Sequence, residues 1–306
     1  MENPQSVRID QLWFNTVKKD VFSQNGEDGI VEKIFELIGT TNTFAIECGA
    51  LNGVKDSGTR NLTLNHGWSG LLIEGDQTPF EKLVQNYKDN SKVTCVHAFI
   101  SFAGPDALDA LFQRYGVPES PDLFVLDIDG NEYHVWESLV AYKPRVMVVE
   151  FNPTIPNDVT FIQPRDMSIQ QGSSLLALTT LAARKGYKLV AVTYVNAFFV
   201  RIEDAEPFSH ISGEVECIRP ENPYETKLFQ LYDGTLKISG NTQLLWHKKP
   251  IDEEKLQVLS KSERVFLNGI NSNSFVRSLK YTARKSRLYP IIRWARQHPV
   301  LRSILK

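Results

Sequence analysis

Thr43-Phe-Ala-Ile-Glu-Cys-Gly-Ala-Leu-Asn-Gly53, answered by Leu71-Leu-Ile-Glu74, decides the fold of this chain. The first stretch reads as a buried strand that runs into a turn of small residues. The second reads as another apolar strand, ending on a carboxylate. In an open α/β sheet such a pair sets a nucleotide-like ligand over the strand ends, with the carboxylate placed to hold ribose hydroxyls. A ribose-bearing cofactor is the expectation that follows.

Outward from these strands, short apolar runs alternate with amphipathic helical patterns between residues 25 and 201, the signature of βαβ units and a parallel sheet. From Asp28 to Ile38, the residues Ile30, Ile34, Leu37 and Ile38 fall on one helix face. Strands are predicted at 43–48, 68–74, 93–99, 123–128 and 145–151, with helices near 57–65, 80–90, 106–115 and 133–140. Ser173 to Lys185 reads as a helix capped by Ser173 or Ser174 and stopped by Gly186. Tyr187–Val192 and Ala197–Arg201 read as two closing strands joined by a tight turn. Seven strands with a terminal hairpin match a methyltransferase-type sheet: an α/β, doubly wound, mostly parallel, Rossmann-like domain. The chain divides on this reading into a core at 1–201, a small β-rich and helical extension at 202–269, and a tail at 270–306. Within the extension, Tyr232-Asp-Gly-Thr235 signals a hairpin, and 251–265 reads as a charged, exposed helix.

Composition bounds the function. The 306 residues are 42% hydrophobic and 23% charged, ordinary for a soluble globular protein. No apolar run is long enough for a spanning helix, and Met1-Glu-Asn-Pro-Gln5 lacks the basic start and apolar core of a secretory leader. Cys48, Cys95 and Cys217 lack metal spacing, and the first two sit in strand-like runs; buried, reduced thiols of a cytoplasmic protein are expected. The net charge of −2 hides an asymmetry: residues 270–306 hold nine of the 34 bases and none of the 36 acids. The body is therefore strongly acidic and a poor partner for nucleic acid.

The turn after the first strand is not a dinucleotide fingerprint, since G-x-G-x-x-G is absent, and no Gly-Lys-Ser/Thr follows to make a phosphate-binding loop. A cofactor with ribose but without phosphate fits better, which points to S-adenosylmethionine. Gly49, with Asn52 in the same turn, lets the backbone approach it. Glu47 accepts hydrogen bonds from its ammonium or from water. Glu74, with Asp76 just beyond, takes the ribose hydroxyls as a bidentate acceptor. Asp127 and Asp129 close strand four, and Glu150 and Asn152 close strand five. Alternation puts each pair on one side, and adjacent strand ends converge over the sheet. Asp127, Asp129, Glu150 and Asn152 would suit Mg²⁺ or another hard divalent cation, able to lower the pKa of an acceptor hydroxyl. The alternatives are solvated carboxylates or a carboxylate acting alone as general base, with Glu132 in reserve. His97 ends strand three, at the adenine edge, where a packed strand-end histidine is the commoner outcome.

Ser23-Gln-Asn-Gly-Glu-Asp28, Phe44 to Gly49, Gly67-Trp-Ser-Gly-Leu-Leu-Ile-Glu74 and Asp127-Ile-Asp-Gly-Asn-Glu132, in this order and at domain-like spacing, resemble the FkbM-type methyltransferases over residues 20–201. The resemblance implies a class I methyltransferase fold, S-adenosylmethionine as cofactor, and O-methyl transfer to a hydroxyl of a sugar, glycan or related metabolite. It also implies that Gln24 and Glu27 reach over the cofactor; by themselves, Ser23 and Asp28 read as a cap and a favourable first-turn charge. The chain departs from the family where Glu47 replaces a frequent Asp, and where Gly75-Asp76 replaces a proline after the counterpart of Glu74.

The remaining expectations are peripheral. The segment 152–171 is long for a loop in a compact domain and suits a lid or substrate wall, with Gln163 and Arg165 as contacts. Asn196 reads as a turn residue. In the tail, nine bases combine with apolar residues recurring every three to four positions, broken by Pro290 and Pro299. Such a segment lies on an anionic membrane surface, here the inner one, or docks on the acidic body of the same chain or of a homodimer partner. A non-catalytic module of the same fold, attached by that tail to a membrane or a glycan-synthesis complex, is the rival from another class.

Overall fold

The computed structural model describes residues 12–245 and 247–265. The basic tail at 270–306, with its membrane and dimer readings, lies outside the described residues. By contacts the chain forms two units, Met1–Lys227 with Ser239–Ile251, and Leu228–Ile238 with Asp252–Lys306.

A seven-stranded sheet forms the centre of the first unit. Its strands are β1 (Phe44–Cys48), β2 (Ser69–Glu74), β3 (Val93–His97), β4 (Leu123–Leu126), β5 (Val146–Glu150), β6 (Tyr187–Val192) and β7 (Asn196–Arg201). Their order is β3-β2-β1-β4-β5-β7-β6. β7 is antiparallel to both neighbours and the rest are parallel, which is the doubly wound, terminal-hairpin sheet the sequence predicts. The central strands are buried on both faces, which is why β1, β2, β4 and β5 read as continuous apolar runs rather than alternating ones.

The helices follow from the same patterning. They are α1 (Trp13–Thr16), α2 (Glu27–Ile38), α3 (Arg60–Asn65), α4 (Gln77–Tyr87), α5 (Leu108–Arg114), α6 (Glu132–Ser138), α7 (Leu175–Arg184) and α8 (Val215–Ile218). α2 buries Ile30, Val31, Ile34 and Phe35 against the sheet, while Leu37 is 42% exposed, so the apolar stripe is narrower than its spacing suggests. Ser174 caps α7: its hydroxyl accepts from Ala177 N–H. The largest fully buried side chains include Trp136, Phe112, Phe124 and Phe199, packed above and below the central strands.

The two ends of the sheet differ. At the N-terminal end a salt bridge fixes the scaffold. Asp122 accepts from the backbone N–H groups of Thr41, Asn42 and Thr43, and meets Arg145 at 2.9 Å; Arg145 also grips Asp204 at 2.9 Å. Burial opposes ionisation of Asp122, but Arg145 and the N–H donors outweigh it and hold its pKa below the usual range. The C-terminal ends of β1, β2, β4 and β5 are open to a cavity, across the switch point where the order turns from β1 to β4.

In the second unit the Tyr232-Asp-Gly-Thr235 turn is formed: Leu231 N–H donates to Thr235 O at 2.8 Å, and Asp233 accepts from Thr235 N–H. The helix expected over 251–265 is reduced to a single 3₁₀ turn, Glu253–Leu256. Its Glu253 carboxylate is drawn instead to the N–H of Ile238 and the ammonium of Lys237, and no apolar stripe exists to hold more turns against a neighbour.

Candidate active site

The cavity over the strand ends has a volume of about 360 Å³. Each element delivers its side chains for a local reason. β1 ends at Cys48 and turns sharply at Gly49, where φ is +80°. A Cβ there would lie 1.7 Å from the carbonyl oxygen of Asp127, so only glycine lets β1 and β4 pass this close. β2 ends on Glu74, whose two oxygens accept from Leu51 N–H and Asp76 N–H, each at 2.7 Å. Those bonds fix the carboxylate at the mouth and leave a lone pair on each oxygen for a ligand hydroxyl.

β4 stops at Leu126, and the chain after it is not extended. Asp129 and Asn131 have φ of +58° and +74°, and Gly130 lies between them. Strand alternation therefore does not bring Asp127 and Asp129 together; a tight left-handed turn does. Glu132 closes that turn by accepting from the N–H groups of Ile128 and Gly130. One carboxylate oxygen each from Asp127, Asp129 and Glu150 then lies within 4.8 Å of the other two. In the antiparallel register, Glu150 on β5 faces Asn196 on β7, which carries Asn196 into the same cavity.

Of the sequence-predicted residues, the structure gathers Gln24, Glu27, Glu47, Gly49, Glu74, Asp76, Asp127, Asp129 and Glu150 around this one cavity. Asn52, His97, Glu132 and Asn152 do not line it. Asn52 holds its own turn by accepting from the N–H groups of Val54 and Lys55. The His97 ring stacks on Phe80 at 4.8 Å and bonds the Gly75 carbonyl. Glu132 lies behind the cavity, and the Asn152 amide is committed to Thr154 and Gln171. In the segment 152–171, Gln163 is 1% exposed and ties that loop to Gly172 and Ile169, while Arg165 lies over the Phe102 ring. The loop lends Met167, Ile169 and Gln170 to the cavity wall instead. Asp56 lines the cavity without having been singled out in the sequence; Asn196, read there as a turn residue, and Asn131, quoted only within the Asp127–Glu132 motif, are brought into the lining by strand register and a left-handed turn.

The first-helix motif has a double role. Asp28 accepts from the N–H groups of Val21, Phe22 and Ser23, and Ser23 Oγ accepts from Asp28 N–H, so this pair builds the turn. Glu27, beside it, faces the cavity and accepts from Thr193 Oγ1 at 2.8 Å and Asn196 Nδ2 at 3.0 Å.

The electrostatics are one-sided. Among the described residues, eight carboxylates line the cavity, from Glu27, Glu47, Asp56, Glu74, Asp76, Asp127, Asp129 and Glu150, and no Lys, Arg or His does. Burial pushes Glu27 up to about 8 and Glu47 to about 7, against the hydrogen bonds each accepts. Burial, then the Asp129 charge, raises Asp127 to about 6. Burial followed by the Asp127 charge drives Glu150 well above the usual carboxylate range. Three lining acceptors, Asn131 Oδ1, Glu150 Oε2 and Asn196 Oδ1, are buried without a partner. Unpaired acceptors in a site crowded with carboxylates call for a cationic or hydrogen-bond-donating occupant.

No protein-family model matches this chain, and no curated protein sequence matches it. Among solved structures it is similar to the N-terminal domain of EvdMO1, solved in the presence of SAH and D-fucose, at 14% identity over 58% of this chain and 81% of that one, with a TM-score of 0.38. It is also similar to NcsB1, an O-methyltransferase from neocarzinostatin biosynthesis in complex with S-adenosyl-L-homocysteine, at 16% identity over 56% and 52%, TM-score 0.36. A third is the precorrin-6y C5,15-methyltransferase of Geobacter metallireducens, at 13% identity over 60% and 93%, TM-score 0.37. The chemistry is read from the site itself.

Proposed function

We propose that this chain is an S-adenosylmethionine-dependent O-methyltransferase of the FkbM type, acting on a hydroxyl of a sugar, glycan or related metabolite. The observation that carries the reading is the cavity at the switch point, walled among the described residues by eight carboxylates with no base and by buried acceptors that lack a donor. A sulfonium that also bears an ammonium and two ribose hydroxyls is a donor-rich cation, and it fits that wall; a dinucleotide pyrophosphate would be repelled by it. Glu74 is the ribose acceptor, with a free lone pair on each fixed oxygen. Glu27, Asn196 and Gln24 line the wall nearest α2, where they are suited to receive the ammonium. The bound cofactor supplies an electrophilic methyl carbon: a C–O bond forms to the acceptor as the C–S bond breaks, leaving a neutral thioether.

The chain's own part is to hold the acceptor hydroxyl in line and to take its proton. Glu150 is driven well above the usual carboxylate range and Asp127 only to about 6, so the pair can accept the proton at the Asp127 carboxylate. The same two groups, with Asp129, offer three converging oxygens to a divalent cation such as Mg²⁺, and the unpartnered Glu150 Oε2 suits a ligand atom. A cation held there would lower the pKa of a bound hydroxyl and leave less work for the carboxylates.

Calorimetry of the full chain tests the donor: S-adenosylmethionine is expected to give binding heat and NAD none. A well-folded sample with the opposite pattern overturns the reading. Asp127→Asn and Glu150→Gln should abolish Mg²⁺ binding in the same instrument. Methyl transfer that is unchanged in chelator would retire the cation and leave the carboxylate pair as the base.

A further inference from the structure

A second cavity, of about 530 Å³, opens beside the acidic one and has the opposite chemistry. The segment 24–27 is the wall they share, lining both. Gln24 and Glu27 face the acidic cavity, while Asn25 and Gly26, between them in sequence, face the second. Thr193 lines the second cavity and donates to Glu27 in the first, at 2.8 Å. The second cavity sits over the end of β6, on the same edge of the sheet as the strand ends that carry the carboxylates.

Its charged groups are Lys18, Lys19 and Arg219 against Asp20 and Glu221. Lys19 is held by Glu32 at 3.1 Å, and the Asp20 carboxylate accepts from Gly26 N–H. Lys18 and Arg219 have no ion-pair partner among the described residues. Arg219 is 6% exposed, yet its guanidinium reaches only Asn157 Oδ1 and Pro153 O, each at 3.4 Å, and lies over the Phe151 ring. Those are long bonds for a buried cation, and burial pulls its pKa down to about 10 even with Glu225 nearby. The Asn25 amide nitrogen, on the shared wall, is buried without an acceptor. The acidic side of that wall therefore has acceptors lacking donors, and this side has donors lacking acceptors. Tyr194 and Tyr224 pack with ring centroids 4.2 Å apart and, with Phe14, line the cavity, the kind of surface on which the C–H face of a pyranose rests.

We infer that this second cavity binds a pyranose carrying an acidic group, seated on Tyr194 and Tyr224 with its carboxylate or phosphate at Arg219 and Lys18. This ligand chemistry does not rest on the methyl-transfer reading of the neighbouring cavity. A planar guanidinium with unfilled donors is suited to either acid.

Saturation-transfer NMR on the full chain tests this with methyl glucuronide, glucose 1-phosphate and methyl glucoside. At least one acidic sugar is expected to bind about tenfold or more tighter than the neutral one, the equivalent of one charge-assisted contact, and the tighter acid identifies the group recognised. Arg219→Gln should erase that preference and leave S-adenosylmethionine heat unchanged; Tyr224→Ala, at a half-exposed position, should weaken acidic and neutral sugars alike. If Arg219→Gln fails to fold by circular dichroism, the exposed Lys18→Glu is expected to erase the same preference. Equal binding of neutral and acidic sugars, absence of binding, or a preference that survives both charge substitutions overturns the inference. Acid preference without donor heat would sink the methyl-transfer reading and leave an acidic-sugar site; donor heat without acid preference would sink the acidic-sugar assignment alone.

Discussion

Single residues in this site carry constraints that their chemical type does not announce. Gly49 is the sharpest case. Its φ of +80° and the Asp127 carbonyl 1.7 Å from any Cβ leave no room for a side chain, and that carbonyl is backbone that cannot swing away. Gly49→Ala should cost roughly 3 kcal/mol or more, the sum of left-handed strain and overpacking. A urea midpoint equal to that of the parent would show that β1 and β4 can separate, and the account of the turn would fall. Glu47 makes the converse point. It reads in sequence as a cofactor contact, and it does line the cavity. Yet its oxygens already accept from Ser57 Oγ, Gly58 N–H and Thr59 Oγ1, so its first task is to fasten the loop after β1. The sequence marks such a residue as acidic and central but cannot say how many of its lone pairs are taken.

Elements position the site through their ends. α7 begins where the long loop 152–171 returns to the sheet, and one hydroxyl joins the two: Ser174 Oγ accepts from Ala177 N–H as the helix cap and from Phe161 N–H in the loop, at 3.2 and 3.0 Å. Ser174→Ala should lower stability by about 1–2 kcal/mol, the upper part of the range for a lost cap, because a loop anchor goes with it. The loop should also become the first site of limited proteolysis; cleavage there at the parental rate would show that the anchor is redundant. The seven sheet strands and the helices α2 to α7 were legible, since period and punctuation fixed each to within a few residues, whereas the single-turn helices α1 and α8 were not. The predicted helix over 251–265 was not, because its Glu253 carboxylate is taken by Lys237 and the Ile238 N–H of the hairpin, and charge alone does not separate the two outcomes.

On the scale of the whole molecule, the buried acids make stability depend on pH with a definite sign. Glu27 and Glu132 titrate at about 8 in the fold, Glu47 at about 7 and Asp127 at about 6, each above its ordinary value. The native state therefore holds more protons than the unfolded chain. The stability these groups give is complete below their ordinary carboxylate values and is lost as pH rises through the folded ones. The melting temperature should fall between about pH 5 and pH 8.5, and Mg²⁺ should recover part of the loss at the upper end if it binds the carboxylate trio. Glu27→Gln should flatten the slope. Asp122 acts in the opposite sense, since its pKa is lowered: it stabilises above the ordinary carboxylate range and that contribution is lost in acid. A melting temperature that rises from pH 5 to pH 8.5 would mean these carboxylates are solvated and ionised, and the closed acidic cavity would be wrong.

The sequence by itself determined the doubly wound sheet, its strand count, the terminal hairpin and the crowding of acids at strand ends. Those follow from periodicity and from where apolar runs stop, which are local properties of the chain. Only the tertiary structure decided which acids face one another, because that depends on register between distant strands and on backbone turns. Asn196 enters the cavity through its pairing opposite Glu150, and Asp129 through a left-handed turn that alternation would not give. The second, basic cavity is wholly of this kind: Lys18, Tyr194 and Arg219 belong to three separate segments, and nothing but packing makes them neighbours.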